Sequence, residues 1–240
     1  MRTRHARASL TDRLALYALV IGALTFLAPL AQSLYGKVFP EQTLVLLTDV
    51  ERNPCEAGWI LTPGNEFIKP KLWASSEGQF ARWQKEGRIV HADAVVAGVT
   101  VRGAIAEAVA IRDISITVTG RGAPVRGVAT QGGGCGAEDA PEYLVVDLDG
   151  LPLNQPVPVS YLQRSPQQKA AREAAALLGD PVTLPRQVTR DSIYAFFLTG
   201  RTARHDTSWV ATITWWDGER EHTQRIDDEG RPLRVSAVVR

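Results

Sequence analysis

Cysteine, histidine and lysine are scarce in this sequence, and the short motifs that mark chemistry are missing. Its 240 residues hold 2 cysteines, 4 histidines and 27 basic side chains, of which 22 are Arg and 5 Lys. Two cysteines without a C-x-x-C spacing argue against a dithiol redox enzyme, and two lone thiols make a poor metal site. His5, His91, His205 and His222 fall at no ligand spacing. No G-x-S-x-G marks a nucleophile elbow. No H-E-x-x-H marks a zinc protease, and no G-x-x-x-x-G-K a phosphate cradle. No catalytic residue, cofactor or metal ligand is therefore assigned. Net charge is +1, so no global field recruits nucleic acid. The excess of Arg over Lys, with abundant Ala, Gly and Val, points to a GC-rich coding sequence rather than to a binding surface. Internal repeats and low-complexity tracts are missing too.

What the sequence does have is one long apolar run. Residues 14–36 contain no charged side chain. As a helix they measure roughly 34 Å at 1.5 Å per residue, enough to cross a hydrocarbon core of about 30 Å. Only a helix crosses without stranding backbone groups in lipid. Tyr17 and Tyr35 stand near its ends, where aromatic rings favour the interface, and Pro29 is tolerable within it. Arg2, Arg4, Arg7 and Arg13 precede the run, opposed only by Asp12. The positive-inside tendency then keeps residues 1–13 in the cytoplasm and exports residues 37–240 across the plasma membrane. A cleaved signal peptide is the rival reading. Ala31-Gln32-Ser33 has the small-x-small pattern of a cleavage site, but the run exceeds the usual h-region. Both readings export the domain.

Export makes a disulfide between Cys55 and Cys135 the expected state, with two free thiols as the alternative. A loop of this size contributes roughly 4–5 kcal/mol in the chain-entropy treatment. Cys135 lies in Gly132-Gly133-Gly134-Cys135-Gly136, a stretch able to bend to disulfide geometry.

The exported part reads as β-rich. Strands are expected over residues 43–50, 59–62, 95–101, 108–119, 125–130 and 143–149. In the fourth of these Ile114, Ile116 and Val118 alternate with Ser115, Thr117 and Thr119. That period of two belongs to a sheet with one buried and one wet face. A capping-box pattern at Ser76-Glu77-Gly78-Gln79 opens a short helix ending near Glu86, with Phe80 and Trp83 packing it onto a sheet. Residues 151–181 are rich in proline and read as a connector. It holds one helix, from Ser165-Pro166 through the alanine run to Leu178 and Gly179. Strands over 193–199, 209–216, 219–226 and 232–239 follow, the middle pair joined by the hairpin signal Asp217-Gly218. The expectation is an all-β ectodomain: an antiparallel sandwich of about nine strands with two short helices, plus the N-terminal transmembrane helix. Residues 41–150 and 182–240 form either one shared core or two sub-lobes, and a four-stranded lobe alone would be marginal.

Site candidates are few. Asp147-Leu148-Asp149-Gly150 resembles part of a calcium loop but lacks its glutamate. Asp227-Asp228-Glu229-Gly230 reads as a solvated turn. The glycine loop around Cys135 can present backbone N–H groups to an anion. His205 and His222 can approach across the 209–226 hairpin, where two surface histidines are the plainer reading. Trp209, Trp215 and Trp216 form a candidate partner surface: alternation puts Trp209 and Trp215 on one face and Trp216 on the other. One face is expected to fill the core, the other to meet solvent.

Residues 111–149 (IRDISITVTGRGAPVRGVATQGGGCGAEDAPEYLVVDLD) and 209–232, which run through I-D-D-E-G-R-P, resemble a group of uncharacterised actinobacterial membrane proteins. Those proteins have a short basic N-terminus, one transmembrane helix and an exported β-rich domain. The resemblance covers about half the chain, supports the topology and implies no activity.

The function expected from this reading is a membrane-tethered, non-enzymatic binding or scaffold protein of the cell envelope. Its partners are the lipid bilayer, through the N-terminal helix, and another envelope protein. A small-ligand sensor and an envelope hydrolase of unrecognised type are the alternatives. The hydrolase requires one concave pocket that gathers His205, His222 and an acid.

Overall fold

A computed structural model describes residues 43–52, 58–105, 107–130 and 142–239. The predicted span at 14–36, Cys55, Cys135 and the glycine loop lie outside the described residues. Among the described residues no helix is long and apolar enough to cross a membrane.

The first half of the described chain carries strands β1 (Leu44–Val50), β2 (Trp59–Leu61), β3 (Ile89–Ala92), β4 (Ala94–Gly103), β5 (Val109–Gly122), β6 (Val128–Thr130) and β7 (Tyr143–Asp147). The second half carries β8 (Val157–Pro158), β9 (Arg186–Val188), β10 (Ile193–Arg201), β11 (Asp206–Trp216), β12 (Glu221–Ile226) and β13 (Leu233–Ser236). Helix α1 (Glu77–Lys85) lies between β2 and β3; α2 (Val159–Leu162) and α3 (Lys169–Leu178) lie between β8 and β9.

The protein is mostly β, with two sheets and few helices. One sheet has four strands in the order β1-β4-β10-β7. The other has nine, in the order β6-β2-β3-β13-β11-β5-β8, with β12 also on β11 and β9 also on β5. The expected count of about nine strands is too low, because β3, β8 and β9 are short and carry weak periodicity. Two pairings are parallel, β7 with β10 and β3 with β13, so the sheets are not purely antiparallel. A parallel pair needs a long crossover, and residues between Asp147 and Ile193 supply it.

The two sheets enclose one apolar core. It takes Val99 and Val101 from β4, Phe196 and Leu198 from β10, Ile114 and Ile116 from β5, and Trp209 and Ile213 from β11. Residues before 151 and after 182 therefore share one interior. The proline-rich stretch is more than a connector, since its Leu151, Val157, Val159 and Leu162 are buried in that core. Along β5, Ile111 and Ile114 both face inward although one is odd and one even. A bulge opposite Thr214/Trp215 shifts the register there and makes this possible.

Two smaller clusters extend the fold. Helix α1 and a 3-10 segment, Glu66–Ala74, pack Phe80, Trp83, Ile68 and Leu72 over Trp59 and Ile89. Ser76 sits at the N-cap of α1 in extended conformation, but its side chain makes no cap bond, so the capping box is not formed. Helix α3 lies on the outer face of the four-stranded sheet, where Ala171 and Ala175 meet Tyr143, Val145 and Phe197. Small residues on that stripe let the helix approach closely.

Candidate functional site

The connection after β7 turns sharply at Leu148–Gly150 because Asp147 Oδ1 accepts from the Asp149 N–H at 3.0 Å. This turn drives Asp149 inward. Its buried carboxylate accepts from the Thr202 hydroxyl (2.8 Å), the Ala203 N–H (2.8 Å) and His205 Nδ1 (2.7 Å). Arg204 stands farther off, at 3.7 Å. Desolvation alone would raise the Asp149 pKa, but the Ala203 N–H, His205 and Thr202 outweigh it and hold the carboxyl below its usual range. A charged carboxylate only accepts, so Nδ1 of His205 carries the proton and Nε2 is left for solvent. The Asp149 carboxylate thus clamps the β10–β11 connection, with both of its oxygens taken by protein donors.

An aspartate that orients an imidazole is half of an acid–base device. The other half is not assembled here. The Thr202 hydroxyl bonds the Asp149 carboxylate and the His205 backbone but not its ring, so it is not set against the imidazole as a nucleophile. His222 stacks on Trp215 (ring centroids 5.2 Å) and bonds Asp217. His205 precedes the first residue of β11, whereas His222 pairs with Trp215 near its last. The two are roughly 30 Å apart at about 3.3 Å per residue. They share no pocket, which removes the constellation that the hydrolase reading requires. Asp217 tightens the hairpin turn by accepting from the Glu219 and Arg220 N–H groups, both at 2.9 Å. The Arg220 N–H leads in holding its carboxyl far below the usual range.

The clamp forms one wall of a cleft of about 510 Å³, within the size range of small-molecule sites. Arg201, Asp147 and Asp93 contribute charge to the lining, and Ala170, Ala171 and Val238 contribute apolar surface. Arg201 and Asp147 are partners in the parallel β7–β10 register, and so project on the same side of the sheet. Even so, the Arg201 guanidinium makes no ion pair among the described residues. Asp93 takes a positive φ of 60° and accepts the Val238 N–H at 2.8 Å, which fixes the opposite wall.

The tryptophans divide differently from a three-residue surface. Trp209 and Trp215 are both interior, and Trp215 Nε1 donates to Thr43 at 3.0 Å. Only Trp216 remains on the outer face, half-buried under the Arg112 guanidinium at 4.8 Å. Burial therefore takes Trp209 and Trp215 out of any partner surface. Asp228 in the second acidic turn pairs with Arg52 and Arg231, and Asp227 with Arg225, so that turn is an ion-pair knot.

Two buried polar groups escape the sequence reading. Glu142 accepts from the Tyr194 hydroxyl (2.7 Å) and the Thr183 N–H (3.1 Å) and pairs with Arg186. His91 is fully buried, its ring 4.2 Å from that of Trp59, and neither nitrogen has a partner among the described residues. Burial, assisted by the charge of Arg52, pushes its pKa down to about 3. A lone histidine in a short strand carries no pattern that would have revealed this.

No family model, curated protein or solved structure matches the chain.

Proposed function

We propose that this chain is a membrane-tethered, extracytoplasmic β domain that works by binding, and that the Asp147–Arg201 cleft holds a small polar ligand. The observation that carries the reading is the cleft itself: opposite charges face a common space on strands held in register, and the Asp149 clamp stiffens one wall. A preformed cleft with few convergent polar groups is the usual form of a small-ligand site. No arrangement of the described residues indicates catalysis. Support for a scaffold built on an aromatic face weakens, because two of its three tryptophans are interior. The tether rests on residues 14–36 and on the arginines before them.

Two measurements test the two halves separately. Protease protection of intact cells should leave the N-terminus shielded and the domain cleaved; a protected domain would refute export. NMR titration of the full chain in nanodiscs against small amines, carboxylates and zwitterions should move resonances of Asp147, Arg201 and Ala203. Arg201→Ala should weaken a binder at least tenfold. If the whole panel leaves those resonances unmoved, the cleft is not a binding site.

A further inference from the structure

The turn between β12 and β13 is tied to α1 through one carboxylate. Arg52, just after β1, donates Nε to Gln84 Oε1 of α1 at 2.9 Å and pairs with Asp228 Oδ1. Arg231 takes Asp228 Oδ2, its Nη2 donating at 2.9 Å. The side chains of Arg52 and Asp228 are only 11% and 12% exposed, so this is a fixed network rather than a loose surface pair. Two recesses adjoin it and share Lys85 and Arg231 as walls. The smaller, of about 190 Å³, also takes Gln84, Asp228 and Arg234 into its lining, with apolar surface from Ile89 and Val90. The larger, of about 390 Å³, adds Arg82 and Glu229.

Donors outnumber acceptors here. Asp228 is the carboxylate in the lining of the smaller recess, and both its oxygens are taken. Arg231 turns Nε and Nη2 to Asp228, and Arg234 turns the same pair of nitrogens to Asp206. Each guanidinium keeps Nη1 without an acceptor among the described residues. Gln84 accepts through Oε1, and its amide nitrogen has no acceptor among the described residues either. Lys85 and Arg82 make no ion pair among them. The charge of Arg52, Arg82, Lys85, Arg231 and Arg234 exceeds that of Asp206, Asp228 and Glu229 by two. A phosphate monoester near pH 7 carries about 1.5 to 2 negative charges on three strong acceptor oxygens. A carboxylate has one charge and two oxygens.

We infer that the paired recesses are a second ligand site, for a phosphate group, free or esterified. The oxyanion lies in the smaller recess against Gln84, Lys85, Arg231 and Arg234, and an ester substituent lies in the larger. Guanidinium forks and a lysine ammonium are the usual partners of such an anion. The site is separate from the Asp147–Arg201 cleft. Strands β3 and β13 pair in parallel; Ile89 and Arg234 line the recess, whereas Asp93 and Val238, four residues further on, line the cleft. That is roughly 13 Å at about 3.3 Å per residue.

The test is an NMR titration of the full chain in maltoside micelles, which hold no phosphate, at constant ionic strength. Glycerol 3-phosphate, inorganic phosphate and succinate are the probes, and the Gln84 side-chain amide is the reporter. Saturable shifts with glycerol 3-phosphate are the expected result. Lys85→Gln should weaken them at least tenfold and leave the thermal midpoint unchanged, since Lys85 holds no ion pair. Tighter binding of the ester than of inorganic phosphate assigns both recesses; binding no tighter assigns free phosphate and the smaller recess. Succinate bound as tightly as either, no saturable shift at Gln84, or full affinity in Lys85→Gln would each overturn the site.

Discussion

The indole of Trp209 lies against the backbone of Gly200 in the opposite sheet: a methyl group on Gly200 would stand 2.5 Å from Trp209 Cζ2. The contact joins β10 to β11 across the core and allows no Cβ. Gly200→Ala should therefore destabilise by about 1–3 kcal/mol, the usual cost of overpacking. Gly78→Ala, with open space around the same position in α1, should be neutral or slightly stabilising. Urea denaturation of the two variants provides the comparison, and equal effects would contradict the packing described.

Truncation should sort the tryptophans by face. Trp209→Ala opens a cavity in the sealed core and is expected to cost about 3–5 kcal/mol. Trp216→Ala removes a half-exposed ring and one contact with Arg112, so it should cost no more than about 1 kcal/mol. Thermal denaturation ranks them, and a reversed order would place the wrong face inside.

His91 gives stability a pH dependence of known sign. Its folded pKa, about 3, lies below the ordinary 6.5. The unfolded chain takes up the proton first as pH falls, so stability is intact above pH 6.5 and declines toward pH 3. The slope inside that window approaches about 1.4 kcal/mol per pH unit. His91→Phe should flatten the difference between pH 7 and pH 4 in urea titrations. An unchanged difference would mean that His91 is not buried in neutral form.

The Asp149 clamp acts in the same direction at lower pH. Its depressed pKa stabilises the fold above the ordinary carboxylate range, and that contribution fades as pH falls through the folded value. Asp149→Ala leaves three donors without their acceptor and should cost about 1–3 kcal/mol. Nitrogen-detected NMR of His205 should report the Nδ1–H tautomer in the parent and its loss in the variant. A parent in the Nε2–H tautomer would refute the assignment.

Much of the fold is legible one strand at a time, and the reasons differ by element. The alternation of Ile114, Ile116 and Val118 marks a strand with one buried face wherever its partners lie, because side chains alternate on any pleated strand. Asp217-Gly218 announces a hairpin because Gly218 takes a φ of +106° there, which other residues resist. Gly179 ends α3 in extended backbone. The charge-free run at 14–36 and the arginines before it are equally plain, since hydropathy and flank charge need no tertiary partner.

Local pattern could not decide what depends on neighbours distant in the chain. Ile111 joins the buried face only because a bulge against β11 changes the phase. Proline at 152, 156, 158 and 181 disguised a segment that enters the core. His205 and His222 both flank one hairpin in the sequence, yet each bonds its own aspartate at opposite ends of a strand. The cleft itself joins residues from β7, β10, α3 and the β3–β4 turn, brought together only by strand register and helix docking. Sequence determines which stretches pleat, turn or resist water, because those tendencies are local. Only the tertiary structure decides which side chains converge, because convergence is a property of pairing between strands far apart in the chain.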